Sequence, residues 1–167
     1  MKKQLISVLL LFIASYTFAQ TGNCAKIRQL VSEANKKQLQ NEATGEKFQT
    51  VDDFDAWATK TTLDGATKCY VQDAANVGKM YVAEFGKSDA GKTADGVLSK
   101  KMDELATMFN NCLGTGFVMR NIQISDNVLR GYQYDGKGAN QNTKISLMLI
   151  YNPADKKQML FISIIND

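Results

Sequence analysis

Between Phe117 and Ile165 the chain alternates polar and apolar residues in four successive runs: Phe117–Ile124, Val128–Tyr134, Lys144–Tyr151 and Met159–Ile165. Alternation with a period of two places successive side chains on opposite faces of a strand. The breaks between runs, Ser125-Asp126-Asn127, Asp135-Gly136-Lys137-Gly138 and Asn152-Pro153-Ala154-Asp155, are made of residues that favour turns. Each is too short for the helical crossover of about a dozen residues that parallel strands require, so the four strands must pair antiparallel. The last two runs are rich in aliphatic residues at every position (Ile145, Leu147, Met148, Leu149, Ile150; Leu160, Phe161, Ile162, Ile164, Ile165). That pattern predicts strands at or near the sheet centre, covered on both sides.

Upstream, Lys68–Asp73 and Lys79–Phe85 also alternate, and Ala74-Ala75-Asn76-Val77-Gly78 joins them as a hairpin would. Three segments read as helical. Cys24–Asn41 spaces Ile27, Leu30, Val31, Ala34 and Leu39 at nearly helical intervals. A polar break follows at Asn41–Lys47. Thr50 is a plausible N-cap for a short helix carrying Val51, Phe54, Trp57 and Ala58, with Asp52 and Asp53 in its first turn. Asp52, Asp53 and Asp55 lack the glycine and distal glutamate of a calcium loop, so helix-start acids explain them better. Thr93–Cys112 carries one apolar stripe, Leu98, Met102, Leu105, Phe109 and Cys112, and ends at Gly114 and Gly116. The expected fold is therefore α+β. It is a two-layer domain with an antiparallel sheet of about six strands and helices on one face, in the order α-α-β-β-α-β-β-β-β. No internal repeat is visible in the residues.

The chain of 167 residues is long enough for one such domain with a sizeable core. Residues 1–19 are expected not to belong to it. Lys2 and Lys3 precede an apolar run from Leu5, which ends in Thr17-Phe18-Ala19 with small residues where a signal peptidase reads. The run is short for a membrane span, and Thr21-Gly22-Asn23 does not resemble the box that precedes a lipidated cysteine. The expectation is cleavage after Ala19 and a single domain over 20–167, periplasmic or secreted, as the Phe18-Ala19-Gln20 ending suggests for Gram-negative export. Without Lys2 and Lys3 the 20 basic residues become 18 against 17 acidic, a net charge of +1. That balance gives no electrostatic footprint for nucleic acid or for stable membrane association.

An exported chain can keep disulfides. Of Cys24, Cys69 and Cys112, the pair Cys69–Cys112 is favoured because it would pin the helix to the sheet. Pairings through Cys24 remain open. With no histidine and no C-x-x-C spacing, a metal site is not expected.

The residues Gly86-Lys87-Ser88-Asp89-Ala90-Gly91-Lys92-Thr93 fit the phosphate-loop pattern G-x-x-x-x-G-K-[ST], and they stand between a strand and a helix. Such a loop belongs in a parallel sheet fed by a continuously apolar strand, whereas Met80–Glu84 alternates. Nor does any apolar run end in a magnesium-binding aspartate; Ile122-Gln123-Ile124-Ser125-Asp126 is broken by polar residues. The match therefore reads as chance, and no cofactor is expected.

Missing histidine also removes Ser/His and Cys/His nucleophile systems. Most acids sit at turns or on the polar helix face, and Glu84 is the exception, within a strand. Arg130, Tyr132 and Tyr134 share one face of their strand, with Arg120 placed beside them on the preceding one. These residue types are enriched where proteins bind partners, although ordinary cross-strand packing explains them as well. The sequence thus favours a small exported cell-envelope protein that binds a protein or ligand through its sheet, with another envelope protein as the candidate partner. The alternative is an enzyme, either a carboxylate-dependent hydrolase or a nucleotide binder through 86–93.

Overall fold

The computed structural model describes residues 22–49, 54–74 and 78–166. The segment read as a signal, the proposed Thr50 cap with its first turn, and the tip of the Ala74–Gly78 hairpin lie outside these. The chain begins with helix α1 (22–35), which turns at Lys37 (φ 57°) into a short 3-10 turn, Leu39–Glu42. Four strands follow: β1 (Ala43–Gln49), β2 (Asp55–Thr59), β3 (Lys68–Ala74) and β4 (Gly78–Ser88). Helix α2 (Gly96–Leu113) then leads into β5 (Phe117–Asn121), β6 (Val128–Gly136), β7 (Thr143–Asn152) and β8 (Lys157–Asn166).

All strands belong to one antiparallel sheet in the order β1-β2-β3-β4-β8-β7-β6-β5, and both helices pack on the same face. The α+β, two-layer expectation holds with eight strands rather than six. The two extra strands replace elements read otherwise. The expected polar break at Asn41–Lys47 overlaps an edge strand, Ala43–Gln49, which needs no buried alternation. Residues 55–59, assigned to a helix, form β2, where Trp57 pairs with Val71 while Ala56 and Ala58 pair with Gln72 and Tyr70. Cross-strand packing of small and large residues overrides the helix-like acids before them.

The order of elements repeats along the chain. Each half is a helix followed by a four-stranded meander, and the two fourth strands, β4 and β8, pair at the centre. The main core lies between sheet and helices. Ile27, Leu30, Val31 and Ala34 of α1 and Leu98, Met102, Leu105, Phe109 and Cys112 of α2 meet Val71, Tyr81, Phe85, Ile145, Leu147, Leu149, Leu160, Ile162 and Ile164. Helix α2 begins at Gly96, three residues after the expected start at Thr93, and Asp95 caps it. The Asp95 carboxylate accepts from the Val97 and Leu98 amides at 2.8 and 2.9 Å, satisfying donors with no partner inside the helix. Those bonds and the Ser88 hydroxyl hold its carboxyl below the ordinary range, the Leu98 amide contributing most.

The disulfide joins Cys24 to Cys112, with Cα atoms 5.0 Å apart, and Cys69 is a free thiol. This corrects the expected Cys69–Cys112 bridge. The crosslink runs from the start of α1 to the end of α2, within the helix layer, instead of from helix to sheet.

Candidate functional site

The sheet has a second face that the helices do not touch. Register fixes what points there. One cross-strand row reads Lys68, Glu84, Phe161, Met148, Gly131; the next reads Tyr70, Val82, Ser163, Ser146, Gln133. Beyond them lie Gln72, Met80 and Ile165 on one side and Lys87, Met159 and Ile150 on the other. Met80, Met148, Ile150, Met159 and Phe161 are only half-buried. The central strands are thus covered on one face only, which corrects the expectation of two covered faces. What the aliphatic runs supply on the other face is the floor of a groove of about 600 Å³.

Several features shape this groove. Ala56, Tyr70 and Val82 form a small second core, with Phe48 packed edge-on against Tyr70 at 5.7 Å. The chain leaving β5 folds back over Gly131, where a Cβ would come within 2.7 and 2.8 Å of Ile122 side-chain and carbonyl atoms. Glycine at 131 therefore admits the wall that carries Ile124, which is 69% exposed at the rim. Asn152, Pro153 and Asp155 close the end of the floor. Along β8 the lining runs from Lys157 to Ser163, roughly 20 Å at the usual rise per residue, with Met159 and Phe161 as its apolar part.

Charge gathers at one end. The Lys68 ammonium lies 4.1 Å from the Phe48 ring centroid and 5.2 Å from that of Tyr70, a cation–π placement. Lys87 stands 3.8 Å from Glu84, and Lys157 lies 3.5 Å from Asp89. The Glu84 side chain is only 13% exposed, so the carboxylate singled out in the sequence belongs to the groove rather than to open solvent.

The four residues read as one binding surface are divided. Tyr134 is 1% exposed, stacks near Phe109 and donates its hydroxyl to the Ala106 carbonyl at 3.3 Å. Burial, with the neighbouring Tyr132 second, pushes its phenol up to about 12. Arg130 donates to Asp103 of α2 at 2.7 Å and to the Tyr132 hydroxyl at 2.8 Å. The Asp103 bond keeps its guanidinium above its ordinary pKa. These three side chains dock α2 onto the sheet. Arg120 pairs with Gln133, not with a tyrosine, so it points to the opposite face and binds Asp135 at 2.8 Å. A one-residue shift in the assumed register placed it wrongly.

The phosphate-loop residues are also redistributed. Gly86, Lys87 and Ser88 are strand residues paired with Leu160, Met159 and Gln158, and Gly86 lets Leu98 of α2 approach to 3.0 Å of a would-be Cβ. The remaining loop is fastened from within. The Gln158 amide donates to the carbonyls of Gly91 and Thr93, and its oxygen accepts from the Asp95 amide at 2.9 Å. Lys92 lies 5.8 Å from the Tyr151 ring centroid. An extended strand in an antiparallel sheet does not aim successive amides at a phosphate.

Among the described residues, no group of three or more His, Cys, Asp or Glu is placed to hold a metal, and no helix is long and apolar enough to cross a membrane. No protein family, curated protein or solved structure matches the chain. The groove residues were missed in the sequence because the outward parity of β4, β7 and β8 reads as a second buried face. The available signal was chemical: three of the chain's seven methionines, Met80, Met148 and Met159, share that parity.

Proposed function

We propose that the protein is an exported, non-enzymatic binding module of the cell envelope whose site is the open sheet face. Its ligand is an elongated molecule with an apolar body and an anionic end. The observation that carries this reading is the methionine- and phenylalanine-floored groove beside Lys68 and Lys87. Its 600 Å³ falls within the usual range of about 300–1,000 Å³ for small-molecule sites. Methionine suits such a floor because its unbranched, polarizable side chain adapts to a flexible partner. The span of the lining along β8 suits an extended acyl chain, and exposed Lys68, beside Phe48 and Tyr70, offers its ammonium to an anionic end.

The experiment is displacement of an anionic naphthalene-sulfonate fluorophore by palmitate from the chain beginning at Gln20. Saturable binding is expected, weakened about tenfold or more by Met148→Glu, which puts a carboxylate on the apolar floor. Lys68→Glu with Lys87→Glu should weaken palmitate but not the corresponding alcohol. Palmitate binding unchanged by Met148→Glu, or none at millimolar concentration, would overturn the reading.

A further inference from the structure

The helix layer carries a cavity of its own, of about 300 Å³, on the other side of the sheet from the groove. Helix α1 and the turn after it line it with Arg28, Val31, Ser32, Asn35 and Lys36, whose spacing puts them on a single helix face. Leu113 at the end of α2, Phe117 at the start of β5 and Ala139 in the following turn complete apolar walls with Val31.

The polar groups around this cavity divide unequally. Asn35 donates its amide to the Asn140 side-chain oxygen at 2.7 Å, and its own side-chain oxygen accepts from the Thr143 hydroxyl. Both side-chain acceptors are thus engaged within the protein. The donors are not. Arg28 spends only Nε–H, on the Cys112 carbonyl at 3.2 Å, which leaves the terminal N–H groups of its guanidinium to the cavity. Among the described residues, no group accepts from Nδ2 of Asn140 and no carboxylate pairs with Lys36. The scaffold holds these donors in place. A Cβ on Gly136 would come within 1.8 Å of the Asn140 carbonyl oxygen, and one on Gly116 within 3.0 Å of its Nδ2, so the turn sits directly on the β5–β6 backbone. The carbonyl end of α2 is covered, the Cys112 carbonyl by Arg28 and that of Asn110 by the Gly114 amide.

We infer that this cavity binds a small carboxylic acid with a short aromatic or aliphatic body. Two cations line it and no acidic residue does, so charge complementarity selects an anion. The forked terminal N–H groups of Arg28 match a carboxylate in geometry as well as charge, and Lys36 and the Asn140 amide add donors on the same rim. The apolar walls take the body. The volume stands at the lower limit of small-molecule sites, about 300 Å³, which sets the body at a single ring or a short chain. The site shares no residue with the groove and does not depend on what the groove binds.

Benzoate is the probe, titrated into the isotope-labelled chain from Gln20 and followed by the chemical shifts of backbone amides. Saturable shifts are expected at residues 28–36, 113–117 and 139–140. Benzamide has the same shape without the charge and should bind more weakly by about tenfold or more. Arg28→Gln should weaken benzoate by a similar factor and leave benzamide unchanged. Arg28 also holds the end of α2, so Lys36→Gln is the second variant; its side chain is exposed, and it should weaken benzoate several-fold at an unchanged melting temperature. No saturation at millimolar benzoate, equal binding of benzamide, shifts confined to the groove strands, or an affinity indifferent to both substitutions would overturn the proposal. A peptide ending in a free phenylalanine carboxylate that binds about tenfold or more tighter than benzoate would also overturn it, because the site would then read a protein terminus.

Discussion

Removing the Cys24–Cys112 bridge should cost this protein a large share of its stability. The crosslink closes a loop with a sequence separation of 88 residues. In the chain-entropy description such a loop restricts the unfolded ensemble by about 15 cal/mol/K, or about 4.6 kcal/mol at 25 °C. For a domain of this size each kcal/mol moves the midpoint by about 2–4 °C, so the Cys24→Ser/Cys112→Ser variant should melt roughly 10–18 °C below the parent. Urea denaturation, followed by far-UV circular dichroism on the non-reduced parent and the double variant, measures the difference directly. Cys69→Ser serves as the control and should leave the bridge intact. Peptide mapping without reduction should recover residues 24 and 112 in one crosslinked species. A double variant within about 1 kcal/mol of the parent would refute the entropic argument. A crosslinked peptide containing Cys69 would refute the pairing.

Two further outcomes follow from the packing and the buried phenols. Gly136→Ala would drive a Cβ into the Asn140 backbone carbonyl, so the 138–140 turn must move and the variant should lose several kcal/mol or fail to accumulate; urea titration beside Gly138→Ala, whose site is open, separates a clash from a turn effect. Tyr134 stays protonated to about pH 12 in the folded protein, against 10.0 for an ordinary phenol, and Tyr81 is displaced in the same direction by burial. Because the folded pKa is raised, the stabilisation is complete below pH 10 and is lost as pH climbs toward 12. Tyr134→Phe should therefore flatten the fall in stability across that window by up to about 1.4 kcal/mol per pH unit; an unchanged slope would remove Tyr134 from the account.

What the residues reveal depends on how one-sided their environment is. Helix α2 was legible because Leu98, Met102, Leu105, Phe109 and Cys112 all face one core. β3, β4 and β6 to β8 were legible because alternation survives wherever one face is buried. β1 escaped because an edge strand such as Ala43–Gln49 has little to bury, and β2 because alanines at 56 and 58 hide the alternation around Trp57. Periodicity also shows that residues share a face without showing which face receives the helices. Arg130, Tyr132 and Tyr134 were grouped correctly, yet they serve helix docking, and the groove formed on the other parity. The cysteine pairing was beyond reach for a related reason. Spacing along the chain holds no information on how close the start of α1 comes to the end of α2.

The central β4–β8 pair has a kinetic consequence. Every other strand pairing in the sheet joins neighbours in sequence, so each helix-and-meander half can assemble from local contacts at small loop-closure cost. Among the strand pairings only the seam, with partners such as Val82 and Ser163, demands a long excursion of chain, and α1 joins the second half in the same step through Asn35 to Asn140 and Asn166 to the Ala34 carbonyl. Folding should therefore be limited by docking two preformed halves along the seam and across α1, exposing β4 and β8 until it closes. Cys24 belongs to the first half and Cys112 to the second, so an oxidised chain refolds with its halves already tethered, and a reduced one must find the seam by diffusion.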